Sequence, residues 1–173
     1  MGNKGFLALA VAAGLLVSTQ AAFAVDQEDV RALNASRMSI TQAIDAAAKQ
    51  GNGRPIDAEF ARKGAAAHFD VKVLTQDKVM KYTVDANSGQ VTGTSEQTIE
   101  TFFTRMKPED LRNTQTSLIQ AIGAAEQRAQ GKAIQAEAER DQGHISYEIT
   151  VAKADGSTHK IKVDGQSGQV AEK

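Results

Sequence analysis

Two stretches, Val84-Asp85-Ala86-Asn87-Ser88-Gly89-Gln90-Val91 and Val163-Asp164-Gly165-Gln166-Ser167-Gly168-Gln169-Val170, agree at six of eight positions. Upstream of them, Ser39-Ile40-Thr41-Gln42-Ala43-Ile44-Asp45-Ala46-Ala47 agrees with Ser117-Leu118-Ile119-Gln120-Ala121-Ile122-Gly123-Ala124-Ala125 at six of nine. Farther back still, Glu28-Asp29-Val30-Arg31 parallels Glu109-Asp110-Leu111-Arg112. Alanine bias could imitate the second match. It could not imitate the first, with its Asp, Ser and Gly in fixed order. The chain is a tandem duplication, and its fold has to be read as two copies of one unit.

Each copy opens with a helix signal. Ser39 with Gln42, and Ser117 with Gln120, have the spacing of a capping box, in which hydroxyl and amide satisfy free N–H groups reciprocally. Ile40, Ala43, Ile44 and Ala47 then follow at i, i+3, i+4 and i+7, as do Leu118, Ala121, Ile122 and Ala125. Gly51 and Gly53, and Gly131 in the second copy, are expected to end these helices in the left-handed conformation that costs glycine least.

Beyond the helices the period changes to two. Ile56, Ala58 and Phe60 alternate with Asp57 and Glu59; Phe69, Val71 and Val73 with Asp70 and Lys72; Met80, Tyr82 and Val84 with Lys81 and Thr83. The second copy gives Ile134, Ala136 and Ala138, then Ile145, Tyr147, Ile149 and Val151, then Ile161 and Val163. Such alternation describes antiparallel strands with one face buried under a helix and one wet. A short last strand is expected after each Ser-Gly turn, at Gln90-Val91 and Gln169-Val170. Because opposed residues in a hairpin share a face, Val73 must oppose Met80 across a loop around Gln76-Asp77. By the same rule Val151 must oppose His159 across Ala154-Asp155-Gly156, with Gly156 in the bulge position.

The fold class read from this is α+β, two tandem repeats, each an amphipathic helix on a three- to four-stranded antiparallel sheet. Residues 25–93 make the first repeat with its lead-in, 94–114 a helical linker and 115–173 the second repeat. In the linker, Thr94 and Gln97 have cap spacing, and Ile99, Phe102, Phe103 and Met106 form a helical stripe ending at Lys107-Pro108. We read that stripe as a helix docked on the core; a partner-facing ridge is the alternative.

Residues 1–24 have a secretory layout: Lys4, an apolar run from Phe6 to Val17, and Ala22-Phe23-Ala24 with small residues where a peptidase reads. Cleavage is expected after Ala24. The run is too short for a membrane span, and no later run approaches that length. A periplasmic product is the expectation.

Composition removes several function classes. Lys plus Arg total 20 against 21 acids, so no basic excess invites nucleic acid. With no Cys there is no disulfide framework, thiol nucleophile or Cys-ligated metal. His68 falls on the wet face beside Asp70; His144 and His159 fall on opposite faces, roughly 23 Å apart at about 3.3 Å per strand residue. No metal-ligand spacing occurs among them. Ser88 and Ser167 sit in turns that need small residues, without a His nearby for a triad. Asp57 and Glu59, or Glu137 and Glu139, could imitate an acid–base couple, but alternation puts them in a solvated row. We expect no catalytic site, no cofactor and no metal.

Tyr82-Thr83-Val84-Asp85 with Ser88-Gly89-Gln90-Val91, and Ile161-Lys162-Val163-Asp164 with Ser167-Gly168-Gln169-Val170, each behind a helix, resemble the PepSY domain. Ile161 stands where that family usually carries an aromatic. The resemblance implies a non-catalytic envelope module that binds, inhibits or regulates a partner such as a peptidase or a sensor kinase ectodomain. Two stacked sheets could present Asp57, Glu59, His68, Asp70 and Lys72, with Gln135, Glu137, Ser146, Glu148 and Thr150 as equivalents. From these we take Asp57, Glu59, His68, Asp70, Lys72, Glu137 and Glu148 as the candidate partner-binding residues. The alternative is a small-ligand or cation-responsive envelope stress protein using its acidic loops.

Overall fold

The structure is a computed structural model that describes residues 25–76, 78–98, 106–141 and 143–172. The expected signal segment 1–24, the loop residue Asp77 and most of the linker stripe, including Ile99, Phe102 and Phe103, lie outside the described residues.

The first repeat runs α1 (Gln27–Ala35), α2 (Ile40–Gly51), β1 (Arg54–Lys63), β2 (Ala66–Leu74), β3 (Val79–Asp85) and β4 (Val91–Gln97). The second runs α3 (Pro108–Arg112), α4 (Leu118–Ala129), β5 (Lys132–Asp141), β6 (His144–Ala152), β7 (Thr158–Asp164) and β8 (Val170–Glu172). Both long helices start at the capping boxes predicted for them: Ser39 accepts from the Gln42 N–H and Ser117 from the Gln120 N–H, with each Gln side chain returning the bond. Each cap stabilises its helix by about 1 kcal/mol.

Their C-termini overturn one expectation. The left-handed residues are Asn52 (φ 46°) and Gln130 (φ 54°), not the glycines. Gly53 and Gly131 are there for a different reason: a Cβ on either would sit 2.4 Å from a backbone oxygen, that of Leu74 or Ala152. The start of β1 and of β5 therefore runs against its neighbour too closely for any side chain.

Thr94 and Gln97 do not form the expected helix start. They belong to β4, which spans seven residues and extends the first repeat's sheet beyond the short strand expected there. The equivalent strand of the second repeat, β8, spans three. Where the expectation was two stacked sheets, the strands form one continuous eight-stranded sheet, in the order β4-β3-β2-β1-β5-β6-β7-β8. The first strand of each repeat pairs antiparallel with the other, Asp57 opposite Glu137, Ala58 opposite Ala136 and Glu59 opposite Gln135. Ala58 and Ala136 are equivalent positions of the two repeats, so the seam has the self-complementary character of a two-fold interface within one chain. It also removes the two edges that β1 and β5 would otherwise expose.

The hairpin registers are those the alternation demanded, Val73 opposite Met80 and Val151 opposite His159. Gly156 takes φ +84° in its loop. One core, running from Val30 and Leu33 through Ile44, Phe69 and Val71 to Ile122, Tyr147 and Ile149, lies beneath the helices of both repeats. Met106, last residue of the linker stripe, is buried in it.

The paired lead-ins become paired clamps. Asp29 on α1 bonds Arg62 at the end of β1 at 2.5 Å, and Asp110 on α3 meets the equivalent Arg140 at the end of β5 at 3.5 Å. Each lead-in also reaches the opposite repeat: Gln27 donates to the Gly156 carbonyl, and Arg112 to that of Gln76. Arg54 adds a one-sided tie, donating to Thr114, to the Thr116 carbonyl and to the Tyr147 hydroxyl. Tyr147 in turn donates to the Thr116 carbonyl at 2.7 Å.

Candidate functional site

The duplicated turn is a lock. Asp85 Oδ1 accepts from the N–H groups of Asn87 and Ser88 and from the Ser88 hydroxyl. Asp164 Oδ1 accepts the same three bonds from Gln166 and Ser167. Gly89 (φ +74°) and Gly168 (φ +69°) then turn the chain back. Bonds from the Ser backbone and hydroxyl hold both carboxyls below the usual Asp range. The Asp, Ser and Gly shared by the two copies are thereby absorbed by turn geometry, which aims strands without supplying reactive groups.

The face opposite the core is different. Pairing registers place Lys81, Lys72, Asp57, Glu137, Glu148 and Lys162 in one row across β3, β2, β1, β5, β6 and β7. A second row holds Thr83, Asp70, Glu59, Gln135, Thr150 and Lys160. The three acids at the centre of the first row straddle the seam. Lysines from the flanks reach inward: Lys72 to Asp57 at 3.1 Å, Lys81 to Asp70 at 2.9 Å, Lys160 to Glu148, and Lys162 to Glu139 at 3.8 Å.

All seven candidate residues lie on this face, and the seam brings the two groups together. Asp57 and Glu148 are each only 8 % exposed. His68 stands beside Asp70, its Nε2 4.0 Å from Oδ1. The alternation placed Lys81 on the wet side without naming it a candidate, and sequence reasoning missed Lys160 and Lys162 as members of the face. Continuing the period-two pattern of β7 outward would have found the last two.

Packing acids together has titration consequences. Burial pushes the Asp57 carboxyl up, and the Lys72 ammonium only partly restores it. Glu59 is raised by burial and by Asp57. For Glu137, burial, then Asp57 and Glu139, raise the carboxyl to about 7. It sits between Asp57 and Glu148, and so carries a proton part of the time at neutral pH and can donate as well as accept. Asp70 behaves oppposite to these: burial pushes it up, but bonds from Thr83 and Lys81 more than offset that and hold it low.

Among the described residues no three His, Asp or Glu side chains meet in a way that could hold a metal ion. His144 and His159 are on opposite faces, His144 lining a cleft with Ser146 and His159 opposite core-facing Val151. No described helix is long and apolar enough to cross a membrane.

The family described as peptidase propeptide and YPEB domain, PepSY, matches residues 37–94 and again residues 117–173. A crystal structure of a Clostridium difficile 630 chain, described as a candidate lipoprotein, is similar at a TM-score of 0.47 and 19% identity, over 79% of this chain and 92% of that one. No curated protein matches the chain.

Proposed function

The chain belongs to the PepSY family as a tandem pair of its domains, and from that premise we propose that it is a non-catalytic binding module of the bacterial cell envelope. It acts in the periplasm after removal of residues 1–24 and engages or inhibits another envelope protein, a peptidase or a sensor ectodomain. One observation carries this reading: the seam aligns the outward charges of both repeats into a single row, Lys81 to Lys162, with Asp57, Glu137 and Glu148 at its centre. The family's association with peptidase propeptides supports a partner of that kind.

A flat, charged sheet face suits recognition of a complementary surface. Charges ordered across the strands set orientation and encounter rate more than raw affinity. Partly buried acids that are already paired with lysines lose little further solvation when a partner covers them. His144, Ser146, Asp164 and Ser167 share a cleft beside the row, but the Ser167 hydroxyl is donated to the Asp164 carboxylate itself, so we read the face as a binding surface.

The test uses the mature chain, Val25–Lys173, as bait in periplasmic extract beside an Asp57→Asn/Glu137→Gln/Glu148→Gln triple variant of confirmed fold. A stoichiometric partner retained by the first and reduced at least tenfold with the second is expected. Equal recovery by both would remove the acidic row as the contact; a heat of binding to divalent ions in place of any partner would move the function to the cation-responsive alternative.

A further inference from the structure

We propose that the cleft on the open face of the second repeat receives a planar cationic side chain, an imidazole or guanidinium, from a partner polypeptide. The inference rests on the binding role above only for the source of that side chain.

The comparison between repeats locates the site. His68 pairs with Ala61 on β1 and with Asp85 on β3; Ser146 pairs with Glu139 on β5 and with Asp164 on β7. The two residues hold one structural position. In the first repeat the imidazole fills it, its Nε2 4.0 Å from Asp70 Oδ1 and its strand neighbour Asp85 on the other side. In the second repeat a hydroxymethyl group stands there instead. The space beside it is a cleft of about 450 Å³ lined by His144, Ser146, Lys162, Asp164, Ser167 and Gln169.

Ser146 is only 7 % exposed, and its hydroxyl has no hydrogen-bond partner among the described residues. A buried hydroxyl left unpaired destabilises the fold, and a donor entering the cleft relieves that. The hydrogen bonds from Gln166 and Ser167 all end on Asp164 Oδ1. Its Oδ2 is thus an acceptor for an incoming N–H, on a carboxyl that those bonds keep ionised. Asp164 repeats the place of Asp85 beside His68, while Glu148, at the place of Asp70, is held by Lys160. Lys162 is drawn toward Glu139 at 3.8 Å, and His144 is exposed at the rim.

Imidazole itself is the probe, followed by amide NMR shifts of the whole mature chain. Saturable changes confined to Ile145, Ser146 and residues 164–169 are expected, with affinity near 1–10 mM for so small a ligand. Ser146→His, which fills the cleft from within, should abolish them; Ser146→Ala should weaken them about tenfold. Binding should be stronger at pH 6 than at pH 8, because free imidazole gains its proton near 7 and Asp164 stays charged throughout. Acetate and sulfate form the opposing arm. Saturation by these anions without imidazole would assign the cleft to Lys162 and His144 as an anion site and overturn the proposal. So would unsaturable shifts, or equal shifts in Ser146→His. Ser146→Ala decides the matter if the histidine variant does not fold. None of these readouts needs the protein partner, so loss of partner capture through Asp57, Glu137 and Glu148 would be a separate failure.

Discussion

The two repeats share a backbone plan and differ in what completes it. In the first, Phe60 and Phe69 stack edge to face with centroids 5.3 Å apart, and a seven-residue β4 covers β3. In the second, the corresponding pair is Ala138 and Tyr147, and a three-residue β8 covers part of β7. Tyr147 spends its hydroxyl on Thr116 and on Arg54 of the first repeat, so the second repeat's core is tied to its sibling by polar bonds. Features shared by both copies maintain the fold. Features present in one only, His68 against Ser146 or Arg54 against Lys132, are where the copies differ in contacts.

The comparison breaks first, and hardest, at the shared features. Gly53→Ala and Gly131→Ala should each cost about 3 kcal/mol, because the added carbon meets backbone that cannot step aside. Thermal unfolding should drop by roughly 10 °C in both. A large difference between them would show that the copies do not share this close approach.

Next comes the one-sided tie. Arg54→Met removes the donor to Thr114, Thr116 and Tyr147 and should cost about 2 kcal/mol in denaturant unfolding. Lys132→Met, at the equivalent exposed position, should stay within about 0.5 kcal/mol. Equal effects would mean that Arg54 does not bridge the repeats.

The smallest effect sharpens the seam. Glu137 titrates near 4.5 when unfolded and about 7 when folded, so in that window the native state holds a proton that the unfolded chain has released. Its contribution is present at low pH and is lost as pH rises through about 7. Glu137→Gln should therefore match the parent at pH 4 and exceed its stability at pH 8 by on the order of 1 kcal/mol, after allowance for solvent screening. Glu59→Gln, its exposed equivalent, should move less. The measurement is the pH dependence of the unfolding midpoint for both variants.

Much of each repeat was legible in the chain. Capping boxes and i, i+3, i+4 spacing located α2 and α4 because those signals act within one or two turns. Period-two alternation located the strands and even their registers, since a slip of one residue would turn every apolar side chain outward. Local reading failed where the cause was remote. Gly53 and Gly131 read as helix stops, yet the carbonyls that forbid a side chain there belong to Leu74 and Ala152, some twenty residues away. Thr94 and Gln97 carry cap spacing but follow the free edge of β3 into β4.

The candidate face divides in the same way. Which residues point away from the core was written in the alternation, so Asp57, Glu59, His68, Asp70, Lys72, Glu137 and Glu148 could be named from the chain. That Asp57 would stand opposite Glu137 could not. It depends on β1 pairing with β5, which is settled by the gain from hiding two open edges under one shared core. Sequence determined the unit, its two copies and the side of each strand that stays wet; tertiary structure decided that the copies join edge to edge, because strand pairing between distant segments leaves no periodic trace in either.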